Sequence, residues 1–112
     1  MTTSSPPLRH SPLRHALLQQ IAATARTERR WTRRRNPRKT DPASGLPDHL
    51  YTAGTPDDRP SSVLQRAVRQ LDQHGLLTAT PSLDNNEGVD LSPAGQHELT
   101  AWTRKFGEPG QP

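Results

Sequence analysis

"HGLLTATPSLDNNEGVDLSPAGQHEL", residues 74–99, is the stretch on which the fold turns. Two short apolar pieces, Leu76–Ala79 and Val89–Leu91, flank a polar stretch that holds Asp84, Asn85, Asn86 and Glu87. Short apolar runs bounded by turn residues read as the two strands of a hairpin. Ser92 then caps a helix, and Pro93 suits its first turn, where a missing N–H forgoes no hydrogen bond. Ala94, Leu99, Trp102 and Phe106 give this last helix an inward face, and "GEPGQP" beyond it is a tail.

Upstream lies the clearest helix, "SSVLQRAVRQLDQHG", 61–75. Ser62 and Gln65 fit a capping box, Leu64, Ala67, Val68 and Leu71 form the buried stripe, and Gly75 closes the helix in the left-handed conformation. Gln65, Arg66, Arg69 and Gln70 fall on the outer side. The stretch 36–61 is broken by Pro37, Pro42, Gly45, Pro47, Gly54, Pro56 and Pro60, and reads as a loop with one short helix at "PDHLYT", docked through Leu46, Leu50 and Tyr51. Before it, "PLRHALLQQIAATARTERRW" is helical, with Ser11 as cap and Pro12 in the first turn. Its stripe runs Leu13, Leu17, Ile21 and returns at Trp31; the helix ends near Ala25 or continues to Arg35. Trp31 on that stripe points to core packing rather than to stacking on a base. Residues 1–11 are a tail, and the PLRH that occurs at 7–10 and 12–15 is too short for a structural repeat.

The 112 residues suffice for one small domain, here 12–106 between two tails. Only 29% are apolar and 12 are proline, so the core is small for the length. Without cysteine there is no disulfide framework and no thiolate metal site. No apolar run spans a membrane, and "MTTSSPPLRH" has no hydrophobic signal core, so the expectation is a cytoplasmic protein. Charge is concentrated. Residues 26–39, "RTERRWTRRRNPRK", carry +7, which leaves the rest of the chain at −3 to reach the total of +4. A polyanion is the natural partner of such a block. An anionic membrane would require an apolar face beside the charges, and the block offers only Trp31.

The expected fold is therefore mainly α with a small β-hairpin, in the order α-α-α-β-β-α: the parts of a winged helix-turn-helix. "VLQRAVRQLDQHGLL" resembles the recognition helix and first wing strand of bacterial winged-helix repressors. "VDLSPAGQHEL" resembles the wing end and next helix of the MarR and PadR kinds, and "GLPDHLYTAGTPDDRPSSVLQRAVRQLDQHGLL" is similar to the GntR kind. The resemblance covers 62–102 well and 46–61 loosely. The same wing pattern resembles a winged-helix ribosomal protein of archaeal and eukaryotic small subunits. The chain departs from the repressor pattern in its long, proline-rich spacer and in a hairpin tip that carries Asp84 and Glu87 but no basic residue.

The resemblance implies a small transcriptional regulator that binds double-stranded DNA in sequence-specific fashion, with helix 62–74 in the major groove. Base and groove contacts then fall to Ser61, Gln65, Arg66, Arg69 and Gln70. Phosphate contacts fall to Arg29, Arg30, Arg33, Arg34, Arg35, Arg38 and Lys39. Such regulators are commonly homodimers, and Leu13, Leu17, Trp102 and Phe106 are the candidate dimer surface. The alternative is a winged-helix interaction or assembly module with a nonspecific basic arm. Which of the two holds depends on where the arginines of helix 62–74 point: if the 36–61 loop blocks them, groove entry is impossible and the second reading holds. No enzyme is expected, because no acid–base pair, nucleophile elbow, phosphate loop or H-E-x-x-H occurs. No cofactor is implied. His10, His15, His49, His74 and His97 lack metal-ligand spacing, and "DNNEG" at 84–88 fails as a calcium loop.

Overall fold

The computed structural model describes residues 9–40, 47–54, 60–80 and 87–108, with backbone alone for 35–40 and 47–48. The elements are α1 (Pro12–Thr24), β1 (Thr32–Thr40), β2 (Pro47–Thr52), α2 (Ser62–Gln73), β3 (Leu77–Thr80), β4 (Glu87–Leu91) and α3 (Pro93–Phe106). The strands make one antiparallel sheet in the order β2-β1-β4-β3. Among the described residues the result is a mixed α/β arrangement of three helices and four strands.

Two sequence expectations are corrected. The order is α-β-β-α-β-β-α, because "PDHLYT" is strand β2 and not a helix. Pro47 stands at the strand's first residue and on the edge strand, where its missing N–H breaks no ladder. The first helix stops at Thr24, the earlier of the two ends the sequence leaves open, and residues 32–40, expected as helix or loop, are strand β1. The helix stop has a local cause. The Thr24 hydroxyl donates to the Gln20 carbonyl (2.8 Å), the Thr27 hydroxyl donates to the Thr24 carbonyl (2.9 Å) and accepts from the Arg29 N–H (3.2 Å). Threonine side chains that satisfy backbone groups in this way compete with helix continuation.

The core is one cluster. Leu17, Leu18 and Ile21 of α1 meet Ala67, Val68 and Leu71 of α2, and Trp31, Tyr51, Leu76, Leu77, Val89, Leu91 and Trp102 close it. Complete burial of each leucine, isoleucine or valine contributes roughly 1.5–3 kcal/mol. Trp31 is in this core as expected, but it enters from the segment before β1 and not from the stripe of α1, which has ended at Thr24; its indole N–H donates to Gln20 (3.3 Å). Leu46 and Asp84 lie outside the described residues.

The caps at both ends match expectation. Ser11 Oγ accepts from Arg14 N (3.1 Å), and Ser92 Oγ accepts from Gly95 N (3.1 Å). Gly75 takes φ +75°, a conformation that excludes most side chains. On α2 the cap is Ser61, one residue earlier than the capping-box reading placed it, with Leu64 N donating to its hydroxyl (3.4 Å). On α3, Ala94 and Phe106 are exposed rather than inward, and Gly95 is the buried residue of the first turn. A Cβ on Gly95 would lie 2.0 Å from the Leu76 carbonyl oxygen, so this glycine lets α3 start directly against the turn into β3.

Candidate nucleic-acid interface

The outer residues of α2 divide into those the fold uses and those it presents. Gln65 is used. Its carboxamide oxygen accepts from the Tyr51 backbone N–H (3.0 Å), and its amide N–H donates to the Tyr51 carbonyl. One side chain thus pairs with the outer edge of β2 as another strand would. Gln70 is also used, accepting from Arg14 of α1 (2.8 Å). Arg69 reaches the His49 carbonyl (3.5 Å) and is held along β2. Three of the five residues expected to face bases are therefore turned to α1 or β2.

Arg66 and Ser61 remain exposed, and so do Ser62 and Val63. Val63, at 63% exposure, is the most exposed large apolar residue among the described residues. Ser62, Val63, Arg66 and Ala67 line an open groove against Ser11, Leu13 and Arg14 of α1, with a volume of about 390 Å³. Val63 was not singled out in the sequence. It sits between two serines and the apolar stripe, and only the observed rotation of α2 shows it facing out.

The basic block is similarly divided. Arg33, on β1, donates to Asp72 of α2 (2.6 Å) and to Glu87 of β4 (3.1 Å). The buried Tyr51 hydroxyl donates to the same Asp72 oxygen (2.6 Å). Register explains the convergence: Tyr51 and Glu87 are the Cα partners of Arg33 on either side of β1. Burial, followed by the neighbouring Asp72 carboxylate, pushes the Tyr51 phenol well above its ordinary value. Burial opposes the Arg33 charge, but the carboxylates of Asp72 and Glu87 outweigh it and raise the pKa. Arg33 is therefore engaged within the fold by Asp72 and Glu87.

Arg29 and Arg34 are exposed, and Arg30 is half-buried beside Gly88. Arg35, Arg38 and Lys39 lie on β1, with side chains outside the described residues. Of the dimer candidates, Leu17 (3% exposed) and Trp102 (5%) belong to the protein's own core, which leaves only Leu13 and Phe106 at the surface. Among the described residues no group of three metal-ligating side chains occurs, and no helix is long and apolar enough to cross a membrane. No family model, curated protein or solved structure matches the chain.

Proposed function

We propose that this protein binds duplex DNA as a variant of the winged helix, presenting the start of α2 to the major groove and the basic block to phosphates. The observation that carries the reading is that α2 places Arg66 in the open, with Ser61, Ser62 and Val63 exposed beside it. Topology supports it. If β2 is set aside, β1-β4-β3 with α1 before, α2 between and α3 after is the arrangement of a helix followed by a wing. In chain order, β2 stands where a helix-turn-helix has its second helix. Arg29, Arg34 and Arg66 are exposed cations available to phosphates or base edges. The serines at the helix start suit a phosphate oxygen, where the helix dipole also favours an anion.

The test is a titration of isotope-labelled protein with a random duplex, followed by NMR. Shifts should cluster at 29–34 and 61–66, and the α3 amides should stay still. Shifts confined to 26–39 would instead support the interaction module with a nonspecific basic arm.

A further inference from the structure

The fold narrows the reading head of α2 to two side chains. Gln65 is committed to Tyr51, Gln70 to Arg14, and Arg69 lies along β2. The exposed face keeps Val63 and Arg66, with small serines at its edge. Val63 is not part of the core. It is 63% exposed on the first turn of a helix, where a β-branched apolar residue contributes little to helix stability. Leu13 of α1, 37% exposed, lines the same groove, so an apolar strip runs beside Arg66. Phe106, the other exposed large apolar residue among those described, is already stacked on His10.

Resting on the duplex-binding reading, we infer that Val63 and Arg66 are the base-specifying pair: Val63 packs on a thymine methyl, and Arg66 donates two hydrogen bonds to guanine O6 and N7. Both match the chemistry of the major-groove edge, which displays an apolar methyl only at thymine and two adjacent acceptors at guanine. Spacing sets the register between them. Residues three apart on a helix have Cβ atoms about 5–6 Å apart. Successive bases rise about 3.4 Å. The thymine and guanine therefore stand one or two base steps apart. Gln65, Arg69 and Gln70 contribute no base preference.

The experiment begins with selection of bound sequences from a random duplex library by the full-length chain. The enriched duplex is then remade twice: with deoxyuridine for the thymine, which removes one methyl, and with 7-deazaguanine, which removes one acceptor. Affinity is read by fluorescence anisotropy for the natural protein, Val63→Ala and Arg66→Ala. Both positions are exposed, and circular dichroism confirms that both variants are folded. Loss of the methyl should weaken the natural protein about fourfold, the worth of one buried carbon, and leave Val63→Ala unaffected. Loss of N7 should weaken the natural protein about tenfold and leave Arg66→Ala unaffected. Equal sensitivity of natural and variant proteins to either base analogue overturns the assignment. So does selection that enriches no thymine–guanine spacing while duplex binding persists, which spares the duplex-binding reading. Absence of duplex binding removes both.

Discussion

At the scale of single residues, Asp72 is the junction of the fold. It receives the Arg33 guanidinium and the Tyr51 hydroxyl, and so ties α2 to β1 and β2. Asp72→Asn leaves Arg33, only 19% exposed, facing an exposed Glu87 alone. It should destabilise the protein by about 2 kcal/mol in urea unfolding, less than a fully buried pair because the site is partly wet. Tyr51→Phe removes one hydrogen bond while Asp72 keeps Arg33, and should lower stability by about 1 kcal/mol in the same assay. Gly95→Ala forces a methyl against the Leu76 carbonyl and should cost about 3 kcal/mol. The sequence displayed Asp72 as the one acidic residue of a basic helix, without its partners. Those come from β1, β2 and β4, and no local pattern encodes a contact between residues 33, 51 and 72. Gly95 was visible as the last residue of a Ser-Pro-Ala-Gly start, but the carbonyl it admits was not.

At the scale of elements, the helices and the β3–β4 hairpin were legible because each carries its own signals: a cap, a period, a terminal glycine. The β1–β2 hairpin was not. β1 reads "TRRRNPRKT", without the apolar alternation of a half-buried strand, and Arg33 fills an inward place only because two carboxylates wait for it. β2 carries Pro47 where a helix would also accept it, and its strand identity is imposed by pairing with β1 and by the Gln65 amide. The sequence leaves the end of α1 open between Ala25 and Arg35, because the hydroxyls of Thr24 and Thr27 that take over backbone hydrogen bonds there leave no break in the helical period.

The start of α1 is fastened to the end of α3 by a histidine chain. His15 bonds His10 through Nδ1 (3.0 Å) and Thr103 through Nε2 (3.1 Å), and His10 stacks on Phe106. Burial first, then His10, lower the His15 pKa below 6.5, while Glu108 opposes them. A histidine that folds more readily when neutral gives stability that is fully present above about pH 6.5 and is lost as pH falls from there through its folded pKa. The urea midpoint should therefore fall as the pH is taken below about 6.5. His15→Gln should flatten that drop, as read from parallel unfolding curves.

At the scale of the whole molecule, a near-neutral body carries its positive charge in one segment, and the fold decides how much of that charge is free. Arg33 is spent on the sheet, and Arg29, Arg34 and Arg66 remain exposed. Arg34→Gln should lower the steepness of a log–log salt plot of duplex binding by about one unit without altering stability. Arg33→Gln should do the reverse, lowering stability while leaving the slope in place. The concentration of positive charge was legible in composition alone, but the division between structural and exposed cations depends on register across three strands.

The most direct measurement is fluorescence anisotropy of the full chain with duplex DNA, duplex RNA and single strands over a salt series, beside Arg66→Ala. The account predicts that duplex DNA binds tightest and that Arg66→Ala loses more affinity than one phosphate contact explains, with the excess persisting at high salt. Equal binding to duplex DNA, duplex RNA and single strands, with Arg66→Ala indistinguishable from the natural protein, would contradict it.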